Sequence, residues 1–177
     1  MDIQGLVIRK SFFAEDDRGS FCKVYSLKNE SPLWAGTRFR ECFYSESRKG
    51  VIRGMHFQLP PFECNKLITV ISGRVLDVCF DMRKSSPSYR NVFSAVLDGG
   101  DPCILFIPTG VAHGFLTLSD RAVMLYNTDC EFSPDHDTGI HYRSFGFDWP
   151  LETEPVLSGK DKALPPWNEE NNPFGAW

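Results

Sequence analysis

Arg53 and His56 stand close together in Val51-Ile52-Arg53-Gly54-Met55-His56-Phe57-Gln58, and Lys66 opens the next apolar run. A guanidinium fork beside a lysine suits a diphosphate. An imidazole can exchange a proton near neutral pH, although a lone strand histidine is more often structural and a lysine at a strand start is more often solvated. Ile107-Pro108-Thr109-Gly110-Val111-Ala112-His113-Gly114-Phe115 supplies a second histidine, His113, in an apolar, glycine-flanked setting. Tyr126 ends the run Ala122-Val123-Met124-Leu125-Tyr126, where it reads as a core tyrosine with its hydroxyl at the rim. Asp161, in Leu157-Ser158-Gly159-Lys160-Asp161, reads as a helix-start or solvated carboxylate.

These residues need a scaffold, and the pattern around them is that of strands. Short apolar runs punctuated by 14 glycines and 12 prolines signal an all-β sandwich or barrel. Lys66 to Met82 reads as two strands joined by a hairpin turn at Ser72-Gly73. In the second of them Val75, Asp77, Cys79 and Asp81 share one face, and Leu76, Val78 and Phe80 the other. Further strands are expected over 20–25, 50–57, 92–97, 104–107, 112–118 and 122–127, with short helices over 27–35 and 160–164. Arg53 and His56 have opposite strand parity, so Gly54 is expected to mark a bulge that re-aims one of them. The proline-rich 164–177, with three aromatics, is expected to lie over the barrel or a partner subunit.

At 177 residues, with 42% hydrophobic and 24% charged, the chain reads as one globular domain over 1–177. A net charge of −4 without a basic tract argues against a nucleic-acid binder. No apolar stretch is long enough for a membrane helix, and the first residues do not resemble a signal peptide. Six cysteines without a CxxC pair read as free thiols of a cytoplasmic protein rather than as a zinc site or disulfide framework. There is no GxGxxG, P-loop or GxSxG motif. The paired histidines of metal-binding cupins are missing after His56, where Phe57-Gln58 follows, so neither a catalytic metal nor a cofactor is expected.

Taken together, the segments resemble the dTDP-4-dehydrorhamnose 3,5-epimerase family of the cupin class. The matching residues are Arg18-Gly19-Ser20-Phe21, Val51 to Gln58, Lys66, Gly73 to Arg83, Ser86-Pro87, Ile107 to Phe115, Leu125-Tyr126, Ser133-Pro134, Gly139-Ile140, Trp149-Pro150 and Leu157 to Asp161, in family order. The resemblance implies a cupin-type jelly-roll barrel with a few short flanking helices, a domain-exchanged homodimer, and a nucleotide-sugar substrate. It implies His56 as general base oriented by Asp161, Tyr126 as the acid on the opposite face of the sugar, and Lys66 beside the keto oxygen. Arg53, and Arg18 from the partner subunit, would hold the phosphates, and His113 would line the sugar pocket. The chemistry is coherent. A C–H next to a ketone is weakly acidic, its enolate needs a donor in place beforehand, and a neutral tyrosine can return a proton from the other side.

Phe21, which stacks on the base in this family, is kept, but other positions of the nucleobase pocket depart from the pattern. Lys23 replaces a glutamate, Glu41 a glutamine, Phe43 a loop asparagine, and Glu131 an aromatic stacking residue. Carboxylates pair well with the exocyclic amine of cytosine. The expectation is therefore an epimerase that inverts C3, with C5 left open, of a CDP-linked 4-keto-6-deoxyhexose for deoxysugar or O-antigen supply. The alternatives are a dTDP-4-dehydrorhamnose 3,5-epimerase acting at C3 and C5, a 3,4-ketoisomerase, and a non-enzymatic sugar-nucleotide-binding barrel.

Overall fold

A computed structural model describes residues 2–26 and 36–175. The helix expected over 27–35 lies outside the described residues. The strands are β1 (Val7–Lys10), β2 (Phe12–Asp16), β3 (Gly19–Lys23), β4 (Glu41–Arg48), β5 (Ile52–Gln58), β6 (Lys66–Ser72), β7 (Arg74–Asp81), β8 (Val92–Asp98), β9 (Cys103–Ile107), β10 (Val111–Thr117), β11 (Arg121–Thr128) and β12 (Asp137–Gly139), followed by one helical turn, α1 (Gly159–Ala163). They build two five-stranded antiparallel sheets, ordered β1-β9-β6-β11-β4 and β12-β5-β10-β7-β8, with β2-β3 as a separate ribbon. This is the cupin-like jelly roll.

Ser72-Gly73 is a corner, not the expected hairpin. β6 belongs to the first sheet and β7 to the second, so the chain changes sheets there. Gly73 has φ +76°, and a Cβ on it would meet the Arg121 carbonyl at 2.0 Å, so only glycine fits the corner.

Both faces of the second sheet are buried, for different reasons. Its inner face contributes Val75, Cys79, Leu97, Val111 and Phe115, which meet Ile68, Val70, Leu105, Ile107 and Met124 of the first sheet. Its outer face contributes Ile52, Met55, Val78, Phe80 and Leu116, covered by Ile140, Tyr142, Phe145, Trp149 and Phe174 from the C-terminal segment. The near-continuous apolar pattern of β7 and β10 follows, since a strand covered on both sides has no solvent face to alternate with. The proline-rich tail does lie over the barrel. Phe174 is fully buried, its carbonyl accepts from Lys84 N, and Asn172 Nδ2 donates to the Met82 carbonyl at 2.6 Å. Truncating that ring empties a buried site with little room to collapse. Phe174→Ala should destabilise the fold by about 3–5 kcal/mol, measured by urea unfolding at fixed protein concentration.

Candidate active site

Arg53 and His56 both line one cavity of about 300 Å³, despite their opposite parity. The register against β10 explains it. His56 pairs with His113 and Arg53 with Phe115, so β5 spends three residues where β10 spends two. This is the expected bulge. Gly54 has φ +124°, and a Cβ on it would lie 2.5 Å from Gly114 Cα, so the two backbones touch where a side chain would hold them apart.

His56 Nε2 lies 2.5 Å from Asp161 Oδ1. Asp161 is 3% exposed and belongs to α1, whose N-cap Ser158 accepts from Asp161 N. Burial works against its charged form, but the hydrogen bond and charge of His56, with help from Ser158 and Lys160, outweigh it and hold the carboxyl below the usual range. Helix α1 is tied in by Lys160, which ion-pairs with Asp137 of β12, and β12 in turn pairs with β5 across His56. Lys66 Nζ donates to the His56 carbonyl at 3.2 Å and also lines the cavity. His113 is buried with its Nε2 2.8 Å from Asp77 Oδ2, which fixes the ring as a wall.

Tyr126 comes from β11, in the opposite sheet, and faces the same cavity. It is 8% exposed, and burial pushes its hydroxyl well above the ordinary tyrosine range, so it stays protonated. The imidazole and the phenol thus occupy opposing walls. Two contributors were not anticipated, both from β4, which no strand expectation covered: Ser47 Oγ accepts from Arg53 Nε at 2.8 Å, and Ser45 Oγ lies 3.2 Å from the Tyr126 hydroxyl. Phe43 of the same strand, expected only as a nucleobase-pocket position, stacks its ring on Tyr126. The only available signal was the alternation Glu41, Phe43, Ser45, Ser47, which carries one apolar residue. Among the described residues no group of three or more His, Cys, Asp or Glu is placed to hold a metal ion.

At the rim the expectations fare unevenly. Glu41 lines the mouth, and its Oε1 accepts from Phe132 N at 3.1 Å. Glu131 is exposed and outside the cavity lining, while its carbonyl accepts from Gln58 Nε2 at 3.2 Å. The aromatic residue missing at 131 is present one position later, as Phe132, which lines the cavity. Gln58, a strand residue whose Oε1 also accepts from Ser133 N at 2.6 Å, pins this loop. Lys23 sits on the ribbon with Nζ 5.8 Å from the Phe12 ring centre, away from the cavity. Arg18 is ion-paired with Asp16 at 2.5 Å, and Phe21 packs on Phe12 at 6.2 Å; neither lines the cavity of its own chain.

The family model for dTDP-4-dehydrorhamnose 3,5-epimerase matches residues 1–169. The chain belongs to this family. It is 38% identical over 170 residues to the enzyme of that name from Streptomyces griseus, covering 93% of this chain and 84% of that one. It is 38% identical over 149 residues to the one from Shigella flexneri, covering 82% of each. Among solved structures, a dTDP-6-deoxy-D-glucose-3,5-epimerase from Legionella pneumophila in complex with dTDP-4-keto-L-rhamnose superposes with a TM-score of 0.86 at 33% identity, over 95% of this chain and 96% of that one. A dTDP-4-dehydrorhamnose 3,5-epimerase from Bacillus anthracis with TDP and pyrophosphate bound gives 0.87 at 34%, over 94% and 98%. This chain is a sugar-nucleotide epimerase of deoxysugar biosynthesis. The expected CDP preference gains no support. Of the two carboxylates behind it, Glu41 reaches the cavity and Glu131 does not, and Phe132 replaces the aromatic that Glu131 was read as removing. No helix among the described residues is long and apolar enough to cross a membrane.

The lowered Asp161 carboxyl has a pH signature. A group depressed on folding from its ordinary 3.8 adds stability above that value, and the addition is lost as pH falls through the folded value. The stability difference between wild type and Asp161→Asn should therefore be largest near neutrality and shrink as pH drops below about 4, in urea unfolding across pH.

Proposed function

We propose that this epimerase acts on a dTDP-linked 4-keto-6-deoxyhexose, inverting C3 and C5, with His56 as base and Tyr126 as acid. The observation that carries this reading is the His56–Asp161 pair and the Tyr126 hydroxyl on opposing walls of one cavity. With Nε2 engaged by Asp161, Nδ1 of His56 takes the proton from the carbon beside the ketone. The C–H electron pair becomes the enolate, and Lys66 Nζ donates to its oxygen. Tyr126 then delivers its proton to the opposite face of that carbon, and solvent restores both residues. A positioned base contributes about 10²–10⁴-fold, and an oxyanion donor about 10²–10³-fold. Two inversions require the same pair to serve both carbons flanking the ketone.

The nucleotide reading rests on the Streptomyces griseus and Shigella flexneri relatives, both named dTDP-4-dehydrorhamnose 3,5-epimerase, and on Phe132 at the rim. A homodimer fits this reading. Phe12 and Phe21 leave 60% and 57% of their surface exposed on a ribbon that reaches away from its own cavity, as an arm over a second copy would. Arg18 and Phe21 would then serve the partner's phosphates and base.

In D2O, His56→Ala should abolish deuterium entry at C3 and C5. Tyr126→Phe should retain entry but lose inversion by orders of magnitude. A His56→Ala protein that exchanges at the wild-type rate removes the base assignment. In side-by-side calorimetry dTDP should bind at least tenfold more tightly than CDP; equal or tighter CDP binding restores the cytosine reading.

A further inference from the structure

Phe43 and Tyr126 are direct partners in the antiparallel register of β4 and β11. Their rings stack with centres 4.9 Å apart and planes 12° from parallel. Such a cross-strand aromatic pair is a specific, energetically favourable arrangement. Yet Phe43 is a poor packing residue, since 47% of it is exposed while Tyr126 is 8% exposed. One face of its ring covers the tyrosine, and the residue also lines the open vestibule with Glu41 and Phe132. The Tyr126 ring is met edge-on by His113, with centres 6.5 Å apart, and its hydroxyl is met by Ser45 at 3.2 Å. Phe43 and Ser45 are alternate residues of β4, so one strand face touches both the ring and the hydroxyl of the same side chain.

We propose that Phe43 and Ser45 are positioning residues that hold the Tyr126 ring plane and O–H direction for proton delivery. The proposal rests on Tyr126 being the acid. Without the Phe43 ring, the tyrosine has open vestibule against one face and can tilt about χ1 and χ2. The hydroxyl is the far end of that lever, so a small tilt moves it most. Proton removal by His56, on the other sheet, does not depend on that tilt. The signature is therefore a fall in inversion relative to exchange, which general loosening of the fold does not produce.

The test uses the full chain with the dTDP-4-keto-6-deoxyhexose at saturation in D2O. NMR follows deuterium entry and inversion at the same carbon. Phe43→Leu should lower the inversion-to-exchange ratio about ten- to a hundredfold, the scale of a misplacement near 1 Å. Phe43→Tyr, which restores a flat ring, should restore the ratio. Ser45→Ala should lower it in the same direction. An unchanged ratio in Phe43→Leu, or an equal loss of exchange and inversion, overturns the proposal. If Phe43→Leu fails to fold by circular dichroism, Ser45→Ala decides, and a wild-type ratio there overturns it. Tyr126→Phe separates the two levels. Normal inversion in that variant overturns the acid assignment itself. Exchange without inversion there, with an unchanged ratio in Phe43→Leu, overturns the positioning role alone.

Discussion

Where β5 crosses β10, Gly54 and Gly114 press backbone against backbone, with a hypothetical Cβ on Gly54 only 2.5 Å from Gly114 Cα. That contact lets β5 carry one extra residue between its pairings, and the extra residue turns two side chains of opposite parity toward one cavity. A regular strand would send either Arg53 or His56 into the outer core beneath the C-terminal segment. There an unpaired charged group would have to be desolvated at a cost of several kcal/mol. Cation and imidazole share a wall only because this crossing has no side chains at its centre.

The second requirement is that the facing wall stay at a fixed distance, and that is the work of the inner core. Val75, Cys79 and Phe115 on one sheet meet Ile68, Leu105 and Met124 on the other in one buried cluster, and close-packed interiors transmit strain rather than absorb it. Tyr126 belongs to the same cluster, so the phenol is positioned by the contacts that hold the two sheets together. The outer core does the corresponding work for Asp161. The segment that carries Ile140, Trp149 and Phe174 over the second sheet also carries α1, and α1 brings the carboxylate to the imidazole. Coverage of a hydrophobic sheet face and orientation of the histidine are thus one structural event.

Polar lining has a cost that the site meets with local hydrogen bonds. Arg53 is held by Ser47 Oγ and the Glu46 carbonyl, His113 by Asp77, and Gln58 by five groups of two different loops. These contacts leave the site side chains little rotamer freedom, so a substrate meets groups already in place. At the rim the same economy of backbone placement decides which ring is presented. With Ser133 N and the Glu131 carbonyl both pinned by Gln58, and Phe132 N pinned by Glu41, it is Phe132 that lines the cavity.

The sequence by itself determined the all-β class, most strands of the second sheet, the need for a bulge at Gly54, and, through ordered motifs, the family and the set His56, Lys66, His113, Tyr126 and Asp161. Those features are local. Period-two apolar runs, turn residues and short motifs are visible in a window of ten residues. Strand β4 was not legible, because its inner face lines a cavity and reads Glu41, Phe43, Ser45, Ser47 instead of an apolar alternation. The corner at Gly73 looked like a hairpin, since a tight turn has the same local chemistry whether its strands pair or part into different sheets. Which residue at 131–132 faces the pocket depends on hydrogen bonds from Gln58, 73 residues away in sequence for the Glu131 carbonyl. The resemblance implied that His56 and Tyr126 face each other, but what puts the imidazole and the phenol on opposing walls is tertiary structure, because the partition of strands between two sheets is set by long-range pairing that no local pattern encodes.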